Sequence, residues 1–255
     1  LVSSVLIICV YNIDSNEQLR YSISVDGHFL KKPAHELLRE HELLTVPFIT
    51  GVNDDEGGWI QILKLELSDS TVTSRAERDL MMKEYFGNGK DRVKNREGLT
   101  EMIGDVIFNI PVIETANAHR GAAVYLYEFQ HSPKTVEKIK PSFVGSDHGD
   151  EILIMFGFCF TTAHLKFTGN AKCFTKEEQL SRTMMSYWGN FARTGSPNGD
   201  GLAQWPKYGA EEEYLAIGLK EQVVGRGLNK DRFVFMTQTL PEKVQQHKEN
   251  MENGK

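Results

Sequence analysis

The chain has 255 residues and a mass of 28.9 kDa, enough for one large domain or two small ones, since domains run about 100 to 200 residues. With 40% hydrophobic, 10% aromatic and 25% charged residues, its composition is that of a globular protein and not of a disordered or fibrous one. The 29 Lys plus Arg against 35 Asp plus Glu leave a net charge of −6, and no basic stripe interleaved with aromatics occurs, which argues against a nucleic-acid partner.

Residues 1–24 are set apart as an amino-terminal segment. Its apolar run "VLIICV", Val5 to Val10, is far shorter than the roughly 20 residues of a membrane span. It also lacks the positive flank and small-residue cleavage site of a signal peptide. A buried strand or the edge of a truncated chain fits it better. In the polar stretch that follows, His28, His35 and His41 read as surface residues. "TVPFITGVN", Thr45 to Asn53, is β-branched, carries its proline near the front and ends in turn residues, so it predicts a strand. "REGLTEMIGDVIFNI" predicts a helix that stops before Pro111, and His119 after it reads as a structural hydrogen-bonding residue. "AAVYLYEFQ", Ala122 to Gln130, predicts a second strand; both strands read as buried on two faces of a mostly parallel sheet crossed by helices.

Three cysteines, Cys9, Cys159 and Cys173, have no C-x-x-C spacing, which argues against a zinc knot. Cys159 and Cys173 either pair in an oxidising compartment or remain two thiols. "TKEEQLSRTMMSYWGNFARTGSPNG" predicts the strongest helix. Thr175 and Glu178 form a capping box, Leu180, Met184, Trp188 and Phe191 recur at helical spacing, and Gly195 and Pro197 stop it. From Glu242 to Lys255 the chain reads as a polar, solvated tail.

Two loops carry candidate chemistry. "NDDEGGW" follows the first strand and "VGSDHGDE", Val144 to Glu151, lies beyond the second. In an open α/β sheet, ligands and catalytic groups gather at the carboxyl ends of strands. A carboxylate from one loop, bonded to one nitrogen of an imidazole from the other, fixes the tautomer and leaves the second nitrogen free to take a proton. Gly57, Gly58 and Gly149 allow close backbone approach beside those groups. A metal site from His148, Asp150 and Glu151 is disfavoured, because three near-adjacent ligands wrap one ion poorly.

The ordered series "VDGHFLKKPAHELL", "VPFITGVNDDEGGW", "GDVIFNIP", "AVYLYEF", "SDHGDE" and "YWGNFARTGSPNGDGLAQWPKY" resembles the carboxy-terminal half of mammalian-type carboxylesterases. The likeness runs from Val25 to Pro241, so residues 25–241 are expected to form the carboxy-terminal part of one α/β-hydrolase domain, with the amino-terminal half missing. The resemblance implies Glu56 as the acid and His148 as the base of a Ser-Glu-His triad, with Asp54 and Asp55 as loop residues of no required role. Where the family has Glu-Phe-Gly-Trp, this chain has Glu56-Gly57-Gly58-Trp59, which loosens the expected wall around the carboxylate.

The Gly-x-Ser-x-Gly elbow and the glycine-rich oxyanion loop of such hydrolases are both absent from these residues. Chain order in the fold places them upstream of Leu1, so the chain alone is expected to be inactive. The resemblance thus implies a serine esterase acting on small carboxylic esters, thioesters or amides, with no metal or organic cofactor, in the endoplasmic reticulum lumen or secreted. "HKEN", His247 to Asn250, only echoes a retention signal. The other class left open is a non-catalytic, cholinesterase-like binding protein or truncated product.

Overall fold

The computed structural model describes residues 25–59, 75–119, 121–136, 140–161 and 173–253, and two short paired strands, β1 (Ile13–Asp14) and β2 (Glu17–Gln18). The run "VLIICV" and Cys9 lie outside the described residues.

The main sheet has four strands in the order β3 (Phe48–Asn53), β4 (Val124–Phe129), β5 (Glu213–Ile217) and β6 (Gln222–Arg226). The first three run parallel and β6 returns antiparallel beside β5. Phe48 pairs with Val124 and Asn53 with Phe129, so the carboxyl ends of β3 and β4 finish level. That places the loops after both strands at one rim of the sheet. β4 is an interior strand as expected. β3, expected to be interior too, has β4 as its one neighbour among the described residues, and its first four residues are half-buried.

Because side chains alternate along a strand, β4 feeds two cores. Tyr125 and Phe129 face helix α6 (Thr175–Thr194), where Leu180, Met184 and Tyr187 join Trp205, Leu215 and Ile217. Trp205 is fully buried, and its indole N–H donates to the Leu126 carbonyl at 2.9 Å. On the opposite face Leu126 meets Val52, Phe108, Ile113 and Leu228. The result is a three-layer α/β sandwich. Burial of each large side chain of α6 contributes about 1.5–3 kcal/mol, which explains why a helix of mixed polarity docks here. Its start differs from expectation. Glu177, not Glu178, reaches back to the Phe174 N–H at 2.9 Å, and the same buried carboxylate also bonds His131 at 2.9 Å and the Lys134 N–H at 2.8 Å.

Helix α1 (Ala34–Arg39) precedes β3, and between β3 and β4 lie α2 (Arg75–Phe86), α3 (Arg92–Gly104) and α4 (Ile110–Ala118). Asp91 caps α3 by accepting the Val93 N–H at 2.9 Å. The helix predicted to end before Pro111 does not end there. A π turn at Asp105–Asn109 joins α3 to α4, and Pro111, which has no N–H to give to a regular ladder, sits in the first turn of α4 just after it. α5 (Asp150–Met155) follows β4. α7 (Lys230–Val234), a second π turn (Phe235–Thr239) and α8 (Leu240–Asn253) close the described chain. The stretch read as a solvated tail is therefore helical through Asn253. Its polar surface is exposed, while Leu240 and Val244 pack with Met81, Tyr85 and Phe235.

Cys159 and Cys173 form a disulfide, which resolves the alternative left open by the sequence. Among the described residues no helix is long and apolar enough to cross a membrane.

Candidate active site

β3 ends at Asn53 and the chain turns tightly through Asp54 to Gly58. Within that turn Glu56 folds back on its own strand: one carboxylate oxygen, Oε1, accepts the Asn53 N–H at 2.8 Å. The side chain is buried. Its other oxygen, Oε2, faces Nδ1 of His148 at 2.7 Å. His148 comes from the loop between β4 and α5, and Gly149 after it adopts the left-handed φ of 87° that lets the chain turn into α5. The two sequence-predicted site residues, separated by 92 positions, thus meet at the rim of the sheet.

The geometry fixes the chemistry of the ring. An ionised carboxylate only accepts, so Nδ1 carries the hydrogen and donates it to Glu56. Nε2 is left as the acceptor of the neutral imidazole, on a side chain that is about half exposed. Burial pulls the imidazole pKa down. The hydrogen bond and charge of Glu56, joined by the charges of Glu151 and Asp147, outweigh it and hold His148 above its ordinary value. The pair is therefore built to receive a proton at Nε2 and to stabilise the resulting imidazolium.

Several supporting residues carry no sequence signal of their own. Phe108, presented by the π turn, stacks on the His148 ring with centroids 4.2 Å apart and planes 26° from parallel. π turns recur at functional sites, which in retrospect is the cue offered by Pro111. The Asn53 amide donates to the Asp147 carbonyl and to Glu151 Oε2, both at 2.6 Å. Burial raises the Glu151 carboxyl pKa, and nearby Glu56 adds to the rise against the Asn53 hydrogen bond. Lys140 is almost fully buried, donating to the Gly145 carbonyl at 2.7 Å and pairing with Asp150. His148, Asp150 and Glu151 consequently answer to three different partners and do not converge on one point.

The Gly57-Gly58 pair has a structural reason. A Cβ on Gly57 would lie 2.0 Å from the Thr100 carbonyl oxygen, and one on Gly104 would lie 3.5 Å from the Glu56 Cβ. The backbone of helix α3 itself packs against Gly57. The wall around the carboxylate, expected to be loosened, is closed by backbone. His119 plays the structural part expected of it, donating from Nε2 to the Val46 carbonyl at 2.7 Å. His28, His35 and His41 are exposed.

A parallel sheet with helices on both faces, and an acid and a histidine meeting beyond its strand ends, define the α/β-hydrolase class. Comparison with known proteins agrees. The carboxylesterase family matches residues 4–236. The chain is 39% identical over 88% of its length to the acylcarnitine hydrolase of Mus musculus. It is 40% identical over 90% to the pyrethroid hydrolase Ces2e of Rattus norvegicus, and 37% identical over 88% to the cocaine esterase of Homo sapiens. The chain belongs to the carboxylesterase family. It spans 42%, 42% and 43% of those three relatives, less than half of each.

Proposed function

We propose that this chain supplies the acid and the base of a serine carboxylesterase that hydrolyses carboxylic esters, extending to thioesters and amides, with a serine nucleophile lying outside these residues. The observation that carries the reading is the 2.7 Å contact between Glu56 Oε2 and His148 Nδ1. In the proposed cycle His148 Nε2 takes the serine proton as the hydroxyl attacks the ester carbonyl, then returns a proton to the departing alcohol. Water repeats the sequence on the acyl-enzyme. Glu56 holds the ring and stabilises its charged form without itself taking the proton. Esters are the shared chemistry suggested by the relatives' names: an acylcarnitine, a pyrethroid and cocaine each supply the substrate word. The Cys159–Cys173 disulfide supports an oxidising compartment, the endoplasmic reticulum lumen or the exterior.

The test reads the transcript in frame upstream of the Leu1 codon for a Gly-x-Ser-x-Gly elbow, then assays the longer product on a chromogenic ester. Removing a triad histidine costs on the order of 10⁶ in turnover, so His148→Gln should silence it. Undiminished hydrolysis by that variant would reject the reading. The present chain alone should take no label from an organophosphate probe.

A further inference from the structure

We propose that Asp54, Asp55 and Asp147 are positioning residues: they lace the turn that carries Glu56 to the loop that carries His148, so that acid and base move as one body. The proposal rests on the reading of Glu56 and His148 as an acid–base pair. Four backbone amides cross between the two segments, two from each side. From the histidine loop, the Gly145 N–H donates to Asp55 Oδ2 at 2.9 Å and the Ser146 N–H to Asp54 Oδ1 at 2.8 Å. From the turn, the Asp55 N–H donates to the Ser146 carbonyl at 2.9 Å and the Trp59 N–H to Asp147 Oδ1 at 2.8 Å. That Asp147 oxygen also accepts the His148 N–H at 2.8 Å, so one atom ties the turn to the backbone of the base.

Each of the three consecutive acids therefore has its own donor: Asp54 accepts from the Ser146 N–H, Asp55 from the Gly145 N–H and Glu56 from His148 Nδ1. Three of the four crossing amides end on a carboxylate, the charge-assisted kind of hydrogen bond, roughly twice as strong as a neutral one. The glycines at the seam leave room for those carboxylates. A Cβ on Gly145 would lie 2.9 Å from Asp54 Oδ1, and one on Gly58 would lie 2.9 Å from Asp147 Oδ1 and 2.3 Å from Val144 Cγ1. Asp147 is only 5% exposed, so its carboxylate serves backbone donors and not solvent. A slip of one segment past the other breaks these bonds together with the Glu56–His148 contact.

The test uses the chain as it stands, with amide hydrogen exchange and an NMR pH titration of His148. The amides of Asp55, Trp59, Gly145 and Ser146 should exchange with one common opening rate. Asp55→Ala should speed exchange at Trp59 and Ser146, which the substitution does not touch, on the order of tenfold, and lower the His148 titration midpoint. Asp55→Asn keeps an acceptor and should restore both. Independent exchange of the four amides in the unaltered chain overturns the lacing, and decides the matter even where Asp55→Ala does not fold. So does an Asp55→Ala chain that loosens Gly145 alone with His148 unmoved. Glu56→Gln separates the two ideas: it should lower the His148 midpoint while the laced amides stay protected. An unchanged midpoint in that variant rejects the acid–base pair itself.

Discussion

Replacing Gly57 with alanine adds a single methyl group against the backbone of α3. The new Cβ would lie 2.0 Å from the Thr100 carbonyl oxygen, 2.8 Å from its carbon and 3.1 Å from the Gly104 nitrogen. Ordinary carbon-to-oxygen contacts begin near ~3.3 Å, so the helix and the turn must separate by more than ~1 Å. No side chain can swing aside, because every atom met is main chain. Gly57 is not among the residues at positive φ, so the cost is collision and not backbone strain. Overpacking of this kind costs about 1–3 kcal/mol, and for a chain of this size each kcal/mol moves the melting temperature by about 2–4 °C. The expected loss is therefore about 2–12 °C in a calorimetric melt. Gly201→Ala, where nothing lies within 4 Å of the new Cβ, is the control for φ strain alone. Because α3 runs into the π turn that bears Phe108, its displacement should also weaken the Phe108–His148 nuclear Overhauser contact. A Gly57→Ala chain that melts with the unaltered protein and keeps that contact would refute the account of the closed wall.

Other expectations follow from the same site. Phe108→Ala removes part of the burial that pulls the His148 pKa down, so the His148 midpoint should rise, opposite in direction to Glu56→Gln; loss of the buried ring should cost about 3–5 kcal/mol in urea denaturation. Burial raises the Asp147 carboxyl pKa to about 6 from 3.8. A raised carboxyl contributes stability that is full below the unfolded value and lost as pH rises through the folded one. Asp147→Asn should therefore flatten the fall of the urea midpoint between about pH 4 and pH 6, and an unaltered slope would count against it. Opening the Cys159–Cys173 bridge with Cys159→Ser frees a loop closed over a separation of 14 residues, at a cost of about 3 kcal/mol, read as a lower urea midpoint that reductant no longer shifts.

The elements whose packing follows the local pattern were legible in the sequence. "FITGVN" and "VYLYEF" become parallel neighbours, and the stripe of Leu180 and Met184 becomes the buried face of α6. Placement of two loops at strand ends suggested that an acid of the first could meet His148 of the second, but the choice of Glu56 rested on resemblance, since an acid in a polar turn looks solvated until its partner, 92 residues away, is seen. Asp54 and Asp55 illustrate the limit best. Nothing local tells a solvated aspartate from one that receives the N–H of Ser146 or Gly145, because the donor belongs to another loop. The helical end of the chain was missed for a related reason. Two of its apolar residues, Leu240 and Val244, pack against α2 across a long sequence gap, and tertiary burial overrode a polar pattern.

The π turns show which of two forces decides a local structure. Both precede a proline at the same offset, Asp105–Asn109 before Pro111 and Phe235–Thr239 before Pro241. Proline alone explains why the regular ladder is dispensable there, since it has no N–H to give and crowds the carbonyl four residues earlier. Packing explains why the wide turn stays. Straightening it would shift α4 by one residue against α3 and pull Phe108, Ile110 and Ile113 from sites where they are 6%, 6% and 4% exposed. At about 1.5–3 kcal/mol per side chain, that loss is several times the 0.5–1.5 kcal/mol, roughly, returned by one added backbone hydrogen bond. Pro111→Ala should therefore leave the π turn intact, change stability by no more than about 1 kcal/mol and preserve the Phe108–His148 contact. Backbone chemical shifts that turn regular through Asp105–Asn109 in that variant would show that the proline, and not the core, holds the aromatic over the histidine.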